Sequence, residues 1–133
     1  MWKKIFLATI LIGNIFSSNV HAEIKTYTGE GFFIVMDETL DVAKEKAKAD
    51  GERNVAEQVY VYVESQSKVK NSELAHDEII VMTESLMKVL DVKYKIEPAE
   101  DDSFAVRASV TAEIDTDEID KLIKKIDAQK NFS

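Results

Sequence analysis

Glu38-Thr-Leu-Asp-Val-Ala-Lys-Glu-Lys-Ala-Lys-Ala-Asp-Gly-Glu-Arg-Asn-Val-Ala-Glu-Gln-Val-Tyr60 is the stretch on which the fold turns. Leu40, Ala43, Ala47, Gly51 and Val55 recur at the roughly 3.6-residue period of a helix, and most of what lies between them is charged or polar. Alanine and glycine carry almost no side chain, so this stripe lets another element approach the helix backbone closely. Charges along the helix pair at i,i+3 and i,i+4: Asp41 with Lys44, Glu45 with Lys48, Asp50 with Arg53, Lys46 with Asp50, and Arg53 with Glu57. Asp37 is the expected N-cap. A second row, Val42, Ala49, Ala56 and Val63 with Tyr60 beside it, lies almost opposite the first and is the candidate interaction face.

The flanking segments supply a sheet for this helix. Glu23–Met36 alternates as a strand, and Gly29-Glu30-Gly31 within it marks a bulge or a close backbone approach. A phosphate-binding loop would need a third glycine or a following lysine, and neither is there. Val59–Val63 fits a strand or a helix end, and Glu64–Asn71 reads as an exposed strand closing in a turn at Asn71-Ser72. Asp77 caps a second helix, with Ile79, Met82, Thr83, Leu86 and Leu90 inward and Ile80, Met87 and Val89 broadening that face. Its methionines fill core gaps more readily than they line a groove.

Val92, Tyr94 and Ile96 alternate with Lys93, Lys95 and Glu97, Pro98 stops the strand, and Ala99–Ser103 is an acidic turn. Phe104, Val106, Ala108, Val110, Ala112 and Ile114 mark one face of the next strand, which pairs with its predecessor as an antiparallel hairpin. Thr116 caps a last helix with Ile119, Leu122, Ile123 and Ile126 along one side, fraying from about residue 128. The expected fold is α+β: one long helix across a mostly antiparallel sheet of about four strands, with two further helices.

The N-terminus carries a different signal. Lys3 and Lys4 precede the apolar run Ile5–Phe16, and Val20-His-Ala22 places small residues at the cleavage positions of a secretory signal peptide over residues 1–22. A membrane span needs about 20 apolar residues, more than this run offers. The chain is then exported, to the periplasm or cell surface of a bacterium, and residues 23–133 form a single domain. The whole chain has 17 basic and 25 acidic residues, a net charge of −8; without Lys3 and Lys4 the balance is 15 against 25, or −10. So acidic a surface repels phosphates, which excludes nucleic acid as a partner and disfavours anionic membranes. The sequence contains no cysteine, hence no disulfide, thiolate chemistry or lipid-bearing cysteine.

Reactive groups are few. His76 is the one histidine beyond the signal and reads as a solvent-exposed loop residue. None of the serines stands in a recognisable nucleophile-base pattern, so no enzyme and no cofactor are expected. Two acidic clusters invite a calcium reading: Glu97, Glu100, Asp101 and Asp102, and the run from Glu113 through Asp115, Asp117 and Glu118 to Asp120. Asp115, Asp117 and Asp120 are the candidate ligands. Calcium needs six to eight converging oxygens from a shaped loop, and neither cluster has that loop's turn glycine and distal glutamate.

The export signal, Tyr27-Thr-Gly-Glu-Gly31, Ala43-x-x-x-Ala47, Asp50-Gly-Glu-Arg53, Val63-Glu-Ser65 with Val69 and Asn71, and Val106-x-Ala-x-Val-x-Ala-Glu-Ile-Asp115 together resemble the small exported LPP20-type domain. That family includes membrane-associated lipoproteins of helicobacters and is similar to the N-terminal domain of the flagellar assembly protein T. The resemblance covers about Tyr27–Leu122 and implies a non-enzymatic envelope domain, a long helix against a sheet, in some cases at the flagellar base. This chain departs from the lipoproteins in lacking their cysteine. The expectation is an interaction module that docks on an envelope protein or on itself, through a sheet edge or the second helix stripe. The alternative is a small-ligand or divalent-cation binder of the same compartment.

Overall fold

The computed structural model describes residues 23–66 and 75–131. In chain order these form β1 (Ile24–Val35), α1 (Leu40–Ser65), α2 (His76–Leu86), β2 (Lys88–Pro98), β3 (Phe104–Asp115) and α3 (Thr116–Asn131). The strands make one antiparallel sheet in the order β1-β3-β2, with β3 central. This is the expected α+β fold, with three strands among the described residues where about four were expected.

The missing strand has a physical reason on its N-terminal side. Val59 and Val63 extend the row Ala43, Ala47, Gly51, Val55 by further steps of four, and both are fully buried. That packing outweighs the strand preference of alternating valine and tyrosine, so Val59–Ser65 is helical. The rest of the expected strand, residues 67–71, lies outside the described residues, as does the signal segment 1–22.

Other boundaries moved by a turn or less. Thr39, not Asp37, caps α1, its hydroxyl accepting from Val42 N at 3.3 Å. Ala75, not Asp77, is the N-cap of α2 and Asp77 lies in its first turn; Met87 ends it, so Val89 and Leu90 belong to β2, which carries a bulge between Val89 and Asp91. Helix α3 continues to Asn131, past the expected fraying point, through residues of good helix propensity.

β1 carries no bulge at its glycines: its pairing with β3 runs unbroken from Ile24↔Asp115 to Val35↔Phe104. The alternative reading, close backbone approach, is what occurs. Among the described residues no glycine has a positive φ, so these glycines are required for space and not for backbone freedom. A Cβ on Gly29 would lie 2.5 Å from the Gly51 carbonyl oxygen, and one on Gly31 would overlap the Ala47 carbonyl and the Gly51 nitrogen. At this crossing the backbones of α1 and β1 leave no room for a side chain or for a ligand.

The inner face of β3, Val106 to Ile114, is fully covered, and α1 lies across it and across β1. Helices α2 and α3 pack at the end of the sheet where β1 begins, with Ile79, Ile119 and Ile123 completing the core. Among the described residues no buried side-chain polar atom lacks a partner: Thr83 donates to Ile79 O at 2.7 Å, and Thr116 donates to Glu23 O at 3.1 Å. The outer face is mostly polar over β2 and β3, as an antiparallel sheet covered on one side permits, with Ile24, Phe32 and Ile34 exposed along β1. There Arg107 grips Glu97 at 3.0 and 3.3 Å, which holds the Glu97 carboxyl below its usual range.

Two predictions arise here. The hairpin turn holds Asp101 and Asp102 at φ 57° and 61°, with Ser103 N donating to Glu100 O at 3.2 Å. This is a type I′ turn, whose preferred pair is Asn-Gly, and a left-handed non-glycine residue costs roughly 1 kcal/mol. Asp101→Asn combined with Asp102→Gly is expected to raise the unfolding free energy by about that amount, seen as a higher urea midpoint at an unchanged slope.

The second concerns alkaline pH. The Tyr62 hydroxyl donates to the Glu23 carboxylate, and this bond, ahead of burial, pushes the Tyr62 pKa from 10.0 up to about 12. A raised folded-state value means that the bond's contribution is complete below pH 10 and is lost as pH climbs through 12. Melting temperatures of Tyr62→Phe are expected to fall less steeply than those of the native chain across that window.

Candidate functional site

The five residues of the expected interaction face do not form one surface. Val42 is 44% exposed and Ala49 is exposed, and both line a shallow hollow with Asp41, Glu45 and Lys46. Tyr60 is half-buried, and Ala56 and Val63 are fully covered. The helix geometry explains the split. Each step of four residues rotates about 40° around the axis, so the row that faces the sheet at Ala43 has swung into the second stripe by Val63. Over that C-terminal half lies α2: His76 Nε2 bonds Glu57 at 2.9 Å, its ring meets Tyr60 edge-on at 4.3 Å, and Arg53 reaches Glu57 and Asp77 at 3.8 and 3.6 Å. His76, expected in a loop, is the first residue of α2 and clasps it to α1.

The candidate calcium ligands are likewise separated by local duties. Asp115 accepts from the Asp117 backbone N–H at 3.0 Å, as a helix cap does, and Asp120 pairs with Lys124 at 3.0 Å. Among the described residues no group of three or more His, Cys, Asp or Glu side chains is arranged to hold a metal ion. Nor is any described helix long and apolar enough to cross a membrane.

The feature that sequence reading missed is a difference between the two edges of the sheet. Along the outer edge of β1, three α1 side chains bond the strand's backbone: Gln58 donates to Thr28 O at 2.8 Å, Asn54 donates to Glu30 O, and Asp50 accepts from Phe32 N at 3.0 Å. These three sit at i, i+4 and i+8, each three residues beyond a member of the small stripe, Ala47, Gly51 or Val55. Once the stripe presses onto β1, the next column falls beside the strand's free backbone. Their spacing was the available signal, obscured because Asp50 reads equally well as an ion-pair partner of Arg53 or Lys46.

Among the described residues, the opposite edge has no such cover. Strand backbones alternate in direction, so if Thr28, Glu30 and Phe32 face the β1 edge, their neighbours face β3. Carried through both registers, this alternation turns Lys93 and Lys95 toward β3 and leaves Val92, Tyr94 and Ile96 facing the open edge of β2. Those same residues point their side chains to the inner face, opposite Val110, Ala108 and Val106. Helix α1 does not reach far enough to cover them: Ile96 is 53% and Tyr94 37% exposed, with Leu90 at the bulge 47% exposed. The Lys44 ammonium stands over the Tyr94 ring, at 5.4 Å.

Comparison with protein-family models, with curated proteins and with solved structures finds no match.

Proposed function

We propose that the chain is an exported, non-catalytic interaction module of the bacterial cell envelope, an accessory of an envelope or flagellar assembly, and that it docks through the open edge of β2. The supporting observation is the contrast between edges among the described residues: three helix side chains occupy the backbone groups of β1, while none does so along β2 beside exposed Tyr94 and Ile96. An uncovered edge is a template for one more strand, with main-chain bonds supplying affinity and side-chain pockets specificity. The signal grammar of residues 1–22 and the resemblance to LPP20-type domains support the envelope placement.

The test compares two chains expressed in the source bacterium. N-terminal sequencing of the exported form should begin at Glu23. The native chain and Tyr94→Pro are then captured from the envelope fraction and their companions identified by mass spectrometry. Proline at an edge-facing position removes a free N–H without touching the β2–β3 ladder. Loss of specific companions in the variant is the expected result; identical companions, or a chain retained in the cytoplasm, would overturn the reading.

A further inference from the structure

We infer that the occupant of the β2 edge is a second copy of this chain, its β2 antiparallel to the first about a two-fold axis through Lys93. The inference rests on the reading of β2 as the docking edge and names the partner. β2 reads Lys88-Val-Leu-Asp-Val-Lys-Tyr-Lys-Ile-Glu-Pro98. Folded onto itself about Lys93, it sets Asp91 opposite Lys95 of the second copy, and this pair occurs twice by symmetry. It also sets Val92 opposite Tyr94, so apolar meets apolar on the inner face and opposite charges meet on the outer one, while Leu90, the bulge residue, comes next to Ile96. Such cross-strand pairs each contribute about 0.2–1 kcal/mol.

Neighbouring registers are poorer. Centring on Tyr94 sets Lys93 against Lys95 and Asp91 against Glu97, which repel. Centring on Val92 keeps one charge match but sets Lys88 against Ile96 and Val89 against Lys95. The unfavourable contacts of the chosen register are Val89 against Glu97 at its ends and Lys93 with itself at its centre, where the Asp91 of each copy lies on the diagonal, within reach of a long side chain.

Lysines on an edge commonly serve to prevent pairing. Here Lys93 and Lys95 turn their backbone toward β3 and their side chains to the outer face, whereas every edge-facing residue between Val92 and Ile96 is apolar or aromatic. The pairing exchanges both backbone hydrogen bonds between Val92 and Tyr94 on either side of the axis. It yields a continuous six-stranded sheet whose two remaining edges are both β1, already covered by α1. The assembly therefore closes at two copies.

The sequence holds no cysteine, so an introduced one reports on this register alone. At the axis, Lys93 meets its counterpart in a non-hydrogen-bonded pair with Cα atoms about 4.5 Å apart, inside disulfide range. Under mild oxidation the processed chain carrying Lys93→Cys is expected to become a covalent dimer, whereas Lys95→Cys, far from its own counterpart, stays monomeric. Light scattering should find the native chain dimeric at micromolar concentration and Tyr94→Pro monomeric with an unchanged circular-dichroism spectrum. A native monomer at every concentration, or equal cross-linking at the two cysteine positions, overturns the self-association. If the native chain is monomeric yet Tyr94→Pro loses an envelope companion, self-association fails and the docking edge stands; if neither changes, both fail.

Discussion

Gly31→Ala is expected to be the most damaging single methyl group that can be added to this protein. The new Cβ would overlap the Ala47 carbonyl oxygen and the Gly51 nitrogen, both main-chain atoms of α1. A side chain can rotate away from a clash, but a helix backbone can yield only by lifting the whole helix off the sheet. Overpacking in a core usually costs about 1–3 kcal/mol, and a backbone-on-backbone clash belongs at or beyond the top of that range. Total stability is typically about 5–15 kcal/mol, so urea titration should show a much lower midpoint or no folded baseline. Gly51→Ala is the informative companion. Its Cβ would meet the Val110 Cγ2 at 2.7 Å, a side-chain atom, while alanine in a helix gains about 1 kcal/mol over glycine. Adding Val110→Ala should relieve the Gly51→Ala clash but leave Gly31→Ala uncorrected. A midpoint for Gly31→Ala close to that of the native chain would mean that α1 does not lie on β1 at this distance.

Truncating Ile119 to alanine is expected to remove about 2–4 kcal/mol. Ile119 is fully buried and belongs to the cluster containing Val59, Val63, Ile79, Ile114 and Ile123. It is where the end helix meets the rest of the core. The packing around it comes from three helices and β3, which cannot all close onto the vacated volume, so a cavity adds to the lost burial. Ile126→Ala, at a half-buried position farther along α3, should cost clearly less. Equal losses in chemical denaturation would argue against α3 docking through its first two turns.

Much of this fold was legible in the sequence because the relevant information is periodic. The small stripe from Ala43 to Val55 sets a helix against something flat, and the alternation from Phe104 to Ile114 supplies it. The β2–β3 hairpin follows from Pro98 and the acidic turn. Periodicity failed where two periods coincide: Val59-Tyr-Val-Tyr-Val63 alternates like a strand and also continues a row of fours, and only burial against α2 and α3 decides between them. It failed again on the candidate interaction face, because Val42 and Val63 share a stripe in projection while Val42 is exposed and Val63 is buried.

By itself, then, the sequence determined the composition of the layers: which residues are small enough to let a helix touch a strand, which alternate, and that the chain bears acid and no thiol. Only the tertiary structure decided the strand order β1-β3-β2, and with it which edge is covered. The reason is that an edge is not a property of a segment. Asp50, Asn54 and Gln58 become edge caps because β1 lies within reach of them, and Val92, Tyr94 and Ile96 become an open edge because no described helix lies beside them; both facts arise from long-range placement that no local pattern encodes.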